Sequence, residues 1–363
     1  MVRDELQERA VKSLEQNRRL ICQWATGTGK SNVVLKFLER HPGMACLILV
    51  PEQDNIQNWE YEFDKFGIVM WNVTVVCYAS LHKYEHTNWD LLVFDEAPHM
   101  DTVKRRNICR SVTGTYVLAL GAVIDSDELS ALELSYGKFA MSYVSLKNAI
   151  DWGILPSPKV NVWHITMDST SRKHLHNGQN FTDMEMYRIL QKHVDDAMSL
   201  YKFKPTTYNK IRMLRAGSER KLFLGRLKEN AVRLICDYLE QHDKRFLCFC
   251  SSIQQAESLC KEHALTSHTP ASANLLDKFN SHEIDSLFVV GKLIEGQNLV
   301  DIEHGIITQL GGTSRITVQS VGRIMRSKSP TIWIPIFDKT KDTSFLYTLT
   351  SNIPSKYISH YNF

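Results

Sequence analysis

No stretch of this 363-residue chain strings together the roughly twenty apolar residues that a membrane-spanning helix needs, and its opening segment VRDELQERAVKSLEQ is polar where a cleavable secretion signal is apolar. Both absences lead to the expectation of an intracellular, cytoplasmic protein with no membrane partner. Among the eight cysteines there is no pair of CxxC knuckles, which removes the common zinc frameworks. Cys46 in ACLILV and Cys248 and Cys250 in FLCFC instead sit inside apolar runs, where reduced core thiols are found. A strong charge of either sign is also missing. With 43 Lys and Arg against 40 Asp and Glu the formal net charge is +3, which permits a polyanionic partner without demanding one. There is no low-complexity tract and no short-period repeat.

What is present is a chain with 43% hydrophobic and 23% charged residues, long enough for two domains with separate cores. Through about residue 155, short apolar runs (RRLICQWA, ACLILV, VTVVCYA, LLVFDEA, YVLALGAV) alternate with helical patterns. Runs that are apolar on both faces suit a parallel sheet covered by helices on each side. WGILPSPKV, with Pro156 and Pro158, reads as a break between domains, and the strand-like KVNVWHITM restarts the chain, so 156–167 is a linker plus first strand. Residues 168–241 read as polar and helical, with Lys202, Lys204, Lys210, Arg212, Arg215, Arg220 and Lys221 forming a basic stretch that suits either a solvated face or a nucleic-acid track. From 242 to 363 the strands RFLCFCS, SLFVVG, HGIITQ and IWIPIF return among helical patterns, giving a second α/β domain with a short tail.

ICQWATGTGKS places a glycine-rich turn between a strand and the helix-like NVVLKFLERH. Gly27 and Gly29 allow the backbone to curl so that N–H groups of the turn, including those of Thr26 and Thr28, face phosphate oxygens at a helix N-terminus. Lys30 suits the β- and γ-phosphates and the Ser31 hydroxyl suits Mg²⁺. The eight-residue form of this motif begins with glycine, and Trp24 stands there instead. LLVFDEAPHM provides the partner feature: an apolar strand ends in Asp95, placed to hold Mg²⁺ through water, and Glu96, placed to orient and deprotonate the attacking water. Towards the far end, QSVGRIMR carries Gln319, Arg323 and Arg326, and the two arginines share one helical face. They suit neutralisation of the charge on a γ-phosphate in transfer.

This ordered set resembles the motor core of DEAD/DEAH-like superfamily 2 helicases and translocases, in the branch of restriction-enzyme motor subunits and phage branch-migration helicases. The resemblance runs along nearly the whole chain. VRDELQERAV is similar to the segment whose glutamine reads adenine, which implies Gln7. CLILVPEQDNIQNWEYEF looks like motif Ia, VTVVCYASLHKY like Ib, VLALGAVID stands in the place of motif III, FLCFCSS resembles motif IV, FVVGKLIEGQNL motif V and QSVGRIMR motif VI. It implies two RecA-like parallel-sheet domains in tandem with a helical segment inside the second half, and ATP hydrolysis with Mg²⁺ in the cleft between them. It also implies Gly296 near the γ-phosphate, and Pro51, Gln53, Ser80, Ser251, Gly291 and Lys292 along a nucleic-acid track. The substrate implied is DNA, single-stranded, forked or branched. RNA is an alternative, as is a non-unwinding motor serving a protein partner such as a nuclease. Two departures stand out: Pro98 replaces the usual histidine, so the link from hydrolysis to movement falls to His99, falls to another group or is absent, and Gly121, Ala122 and Val123 replace the hydroxyl-bearing motif III.

Overall fold

The computed structural model describes residues 2–68, 71–100, 110–270, 274–290, 299, 302–310, 324, 327–351 and 353–362, without the side chains of His99 and Met100. The chain divides into a first unit that runs through Ser157 and a second that starts at Pro158.

The first unit is a six-stranded parallel sheet. Its strands are β1 (Arg19–Trp24), β2 (Cys46–Val50), β3 (Val73–Cys77), β4 (Asn88–Phe94), β5 (Thr113–Gly121) and β6 (Ala140–Val144), in the order β3-β2-β4-β5-β1-β6. All five residues of β2 are buried, as expected of a strand covered on both faces. The helices are α1 (Arg3–Asn17), α2 (Ser31–Arg40), α3 (Gln53–Phe66), α4 (Ser126–Tyr136) and α5 (Leu146–Asp151). Their ends follow local chemistry. Asp125 caps α4 by accepting from the Asp127 and Glu128 N–H groups while Glu128 accepts from the Asp125 N–H, a reciprocal capping box. Gly67 ends α3 at φ 65°, where glycine avoids the Cβ penalty.

The second unit holds a seven-stranded parallel sheet, β7 (Lys159–Ile165), β10 (Phe246–Cys250), β11 (Ala264–Leu265), β12 (Ser286–Val290), β13 (His304–Ile307), β14 (Thr331–Phe337) and β15 (Ile358–Asn362), in the order β11-β12-β10-β13-β14-β7-β15. A small antiparallel pair, β8 (His174–His176) and β9 (Gln179–Phe181), precedes three helices, α6 (Asp183–Phe203), α7 (Thr207–Leu227) and α8 (Glu229–Gln241). The remaining described helices are α9 (Ile253–Cys260), α10 (Leu275–Asn280) and α11 (Lys341–Thr350). α8 packs into the sheet's core, where Val232, Ile235 and Leu239 share a buried cluster with Phe246, Cys248 and Phe288. α6 and α7 pair as a helical hairpin.

The expected architecture of two parallel-sheet units with a helical insertion in the second is the observed one. Five strands are additions to the sequence reading. β6 and β15 are edge strands, β11 is only two residues long, and the β8–β9 pair interrupts a segment expected to be helical throughout. No described helix is long and apolar enough to cross a membrane.

Candidate nucleotide site

β1 and β4 both finish at the carboxyl edge of the first sheet, separated by β5, the edge at which open α/β sheets bind ligands. After Trp24 the chain turns through residues 25–30 and enters α2 at Ser31. Gly27 and Gly29 take φ of 86° and 85°, a left-handed backbone open to glycine and strained for other residues. Packing adds a second demand at Gly29, because a Cβ there would lie 2.5 Å from Gln7 Nε2. The Gln7 amide, buried on α1, donates to the Gly29 carbonyl at 3.1 Å.

The start of the turn is tied to the strand that sequence patterning did not reveal. The Ala25 N–H donates to Val144 O at 2.9 Å, and the Trp24 indole donates to Ser142 Oγ at 2.9 Å. Within the turn, the fully buried Thr28 donates its hydroxyl to Ala25 O at 2.7 Å. Lys30 Nζ donates to Trp24 O at 3.2 Å, folded back over the loop. The Thr26 hydroxyl oxygen is buried with no hydrogen-bond partner among the described residues. A buried polar group of that kind is costly unless something pairs with it, and the centre of a left-handed glycine turn is where an anion would do so.

On the other side of β5, the Asp95 N–H donates to Leu49 O at 2.9 Å, which continues the ladder past the last residue of β4. The Trp59 indole of α3 donates to Asp95 Oδ2 at 2.9 Å, and the Tyr78 hydroxyl donates to the Asp95 carbonyl at 3.0 Å. Glu96 follows at φ 46°, a conformation that is uncommon outside glycine. Burial, and after it the adjacent Glu96 carboxylate, push Asp95 up to about 6, against the pull of the Trp59 indole and the Lys30 ammonium. Lys30 therefore bears electrostatically on the carboxylate 65 positions later in the chain. Two crowded carboxylates with one raised value, facing a cation-bearing glycine loop, fit a Mg²⁺–triphosphate group: a divalent ion would relieve their repulsion.

The raised value has a definite sign. Protonation of Asp95 favours the fold, so its stabilising contribution is complete below about 4 and is lost as pH rises through about 6. Activity runs the opposite way if the ionised form is needed, so kcat/KM for ATP is expected to fall on the acid side with a limb near pH 6. Trp59→Phe removes a hydrogen bond that holds the value down, and the limb should move to higher pH. A pH–rate profile with the limb unmoved or displaced downward would contradict this role for Trp59.

The two sequence departures are neighbours in space. A Cβ built on Gly121 would sit 3.0 Å from Ile124 Cγ1 and 3.5 Å from Pro98 Cδ. The buried ring of Pro98 thus borders the space in which a larger motif III side chain would stand. His99 lies in a short 3₁₀ turn, Ala97–Met100, and its side chain is outside the described residues.

The remaining candidates fall into two groups. Pro51 follows β2 and Gln53 opens α3, with Gln53 exposed, while Ser80 lies half-buried in the 3₁₀ segment Tyr78–Tyr84 after β3. All three therefore also belong to the carboxyl edge of the first sheet. Ser251 follows β10 in the second unit with a hydroxyl already committed: it donates to Gln255 Oε1 at 2.8 Å, an oxygen that also accepts from Thr308 Oγ1 at 2.9 Å. α7 approaches so closely there that a Cβ on Gly225 would meet Ser251 Oγ at 2.2 Å. Gly291, Lys292, Gly296, Gln319, Arg323 and Arg326 lie outside the described residues. Sequence reasoning did not find Trp59, Tyr78, Ser142 or Val144. Trp59 and Phe63 are visible as an i, i+4 apolar pair on their helix, but nothing local announces that the indole reaches Asp95.

No family model matches the chain. Among curated proteins it is similar to the DNA 3'-5' translocase XPB2 of Sulfurisphaera tokodaii, 23% identical over 349 residues, covering 89% of this chain and 78% of the relative. Among solved structures it is similar to the Hef helicase domain of Pyrococcus furiosus, with a TM-score of 0.59, 12% identity and coverage of 95% of this chain and 97% of the other. The type ISP restriction-modification enzyme LlaBIII bound to DNA gives a TM-score of 0.59 at 14% identity, over 100% of this chain and 31% of that one. Mss116p bound to single-stranded RNA gives 0.57 at 13% identity, over 94% of this chain and 71% of that one. At these identities the structural matches speak for the fold, and the sequence match supplies the relationship. The glycine turn and the carboxylate pair of the first parallel sheet thus stand on a fold shared with these helicase cores, in a chain similar in sequence to a DNA translocase.

Proposed function

We propose that the chain is a nucleic-acid-stimulated ATPase that spends ATP to move along, unwind or remodel DNA. The observation that carries this reading is the pairing, at one sheet edge, of a left-handed glycine turn bearing Lys30 with the Asp95–Glu96 carboxylates, whose charges already influence each other.

In this reading the turn from Thr26 to Gly29 cradles the phosphates, with the Thr26 hydroxyl gaining its partner and Gln7 holding the turn's shape from behind. Gln7 then serves the loop through its amide N–H, with adenine contact left to its carbonyl oxygen. Ser31 and, through water, Asp95 would hold Mg²⁺, which when bound supplies charge neutralisation across the phosphates. Lys30 leaves the Trp24 carbonyl for the β- and γ-phosphates, and Glu96 takes the proton of the attacking water. Arg323 and Arg326, with Gln319, complete the proposal as the groups that stabilise the transferring phosphoryl, and Gly296 approaches it through backbone. Pro51, Gln53, Ser80, Gly291 and Lys292 are proposed as backbone-tracking contacts. Ser251 remains a weaker member of that set because Gln255 already engages it. The contact between Pro98 and Gly121 suggests that hydrolysis is coupled to movement through an apolar junction or through His99. His99→Ala should then lower duplex unwinding while leaving ATP turnover in place.

DNA is favoured because the relative matched in sequence is named a DNA translocase. The test is an ATPase panel with single-stranded DNA, duplex DNA, a branched junction and RNA, each at two salt concentrations. DNA should stimulate most, and the effect should fall steeply with salt as phosphate contacts are screened. Preference for RNA would transfer the reading to an RNA motor. Equal stimulation by all four, or by none, would remove its support.

A further inference from the structure

The α6–α7 hairpin ends in a tip whose chemistry the ATP site does not use. Each helix has 21 residues, so each arm is about 31 Å long. The connection between them is short and locked. Lys204 N–H donates to Leu200 O at 2.8 Å, Thr206 N–H to Lys204 O at 2.9 Å, and the buried Asn209 side chain donates to the Lys204 carbonyl at 2.8 Å. The Thr206 hydroxyl caps α7 by accepting from the Asn209 N–H at 3.2 Å. Further down, Arg220 donates to Gln191 Oε1 at 2.7 Å and ties the two arms together. A tip held in this way presents its side chains by construction.

Two aromatic rings stand at that tip. Phe203, the last residue of α6, is 89% exposed, and Tyr208, the second of α7, is 73% exposed. Neither has a ring partner among the described residues. Around them the charge is of one sign. Lys202, Lys204, Lys210, Arg212 and Arg215 are all exposed, none is paired with an acid among the described residues, and residues 197–218 contain no Asp or Glu. In a chain whose net charge is only +3, this is a local concentration. An acidic protein partner would match the charge. It would not ordinarily leave two aromatic rings flanked by lysines on both sides, whereas interleaved rings and cations suit a strand that offers bases and phosphates at regular intervals.

We propose that this tip is a single-stranded nucleic-acid contact separate from the sheet-edge track, in which Phe203 and Tyr208 stack on unpaired bases and Lys202, Lys204 and Lys210 hold the adjoining phosphates. The proposal rests on the motor reading above and adds to it a site where strand separation is sensed by stacking, since paired bases keep their faces covered. It also resolves the two meanings of the basic stretch: its tip half faces the nucleic acid, while Arg220 belongs to the hairpin's internal bonding.

The test is fluorescence anisotropy of the full chain with labelled oligothymidylate and with a blunt duplex of the same length. Phe203→Ala with Tyr208→Ala should weaken single-strand binding at least about thirtyfold, with little change for the duplex and none in unstimulated ATP turnover. Phe203→Trp with Tyr208→Trp should restore it, which a merely structural role would not predict. Lys202→Ala, Lys204→Ala and Lys210→Ala together should reduce the slope of log affinity against log salt by about 2. Unchanged single-strand affinity in the double alanine variant overturns the tip contact and leaves the motor reading standing. A wild-type chain that binds neither nucleic acid at low salt overturns both. A wild-type dimer that light scattering shows to be lost in the double alanine variant, with nucleic-acid affinity intact, identifies the tip as a self-interface and overturns the proposal.

Discussion

Lys30→Ala is expected to lower ATP turnover by at least about a hundredfold, with the fold preserved. The side chain is half-buried and makes its hydrogen bond to the Trp24 carbonyl, so its removal leaves no charge stranded in a core. What is removed, in the proposed reading, is the cation that would leave the Trp24 carbonyl for the phosphates of ATP, where charge grows during transfer. A second signature should accompany the loss. The Lys30 ammonium holds Asp95 down, so without it the Asp95 carboxyl should titrate at still higher pH, and any residual activity should show an acid limb displaced upward. Phosphate-release assays across pH, with a thermal melt as control, measure both effects. Turnover that survives at more than about a tenth of the wild-type rate would mean that the glycine turn is not a phosphate loop.

Lys228→Met is expected to cost the second unit about 3–5 kcal/mol. Lys228 stands at the junction of α7 and α8 with no exposed surface, and its Nζ lies 2.6 Å from Asp342 Oδ2, also wholly buried. The same ammonium donates to Gln309 Oε1 at 2.8 Å, the Gln309 amide donates to Asp342 Oδ1 at 2.7 Å, and the Phe337 N–H donates to Asp342 Oδ2 at 3.1 Å. Burial pulls Lys228 below the ordinary lysine range while Asp342 holds it up. Because the carboxylate would remain in the core without its cation, losing one partner costs far more than the pair contributes. In urea, circular dichroism should show an earlier transition for Lys228→Met. Adding Asp342→Leu should recover only part of the loss, since the Phe337 N–H would then lack its acceptor and the Gln309 amide would keep only its bond to the Leu310 carbonyl. An unmoved transition in the single variant would show that the pair does not support the fold. The network joins the base of the helical hairpin to the ends of β13 and β14. Its loss should therefore also loosen the platform that carries the Phe203–Tyr208 tip.

Much of the fold could be read from local patterning because its strands are covered on both faces. CLILV, LLVF and FLCFC must be nearly continuous apolar runs if helices lie above and below them. β6 escaped because it inverts the rule: Met141 and Tyr143 are 49% and 61% exposed, so its apolar residues face water while its ladder fills one edge of β1. β15, reading ISHYN, is a polar edge strand for which β7 supplies the only pairing. An edge strand is defined by the neighbour it finds rather than by its own periodicity.

The site divides in the same way. Glycines at 27 and 29, the Lys30–Ser31 pair and the strand-terminal Asp95 and Glu96 were determined by the sequence, because a left-handed turn and a charge at a strand end are properties of a few adjacent residues. The tertiary structure decided what surrounds them: Gln7 on the Gly29 carbonyl, Val144 and Ser142 anchoring the start of the turn, Trp59 on the Asp95 carboxylate, and Pro98 against Gly121. Those contacts join segments from 22 to 119 residues apart. They depend on strand order and register, which arise only when separate helices and strands share one core, and they set the loop's shape and the carboxylate's charge. The sequence by itself determined which groups are proposed for ATP chemistry; the packed sheet decided how they are held.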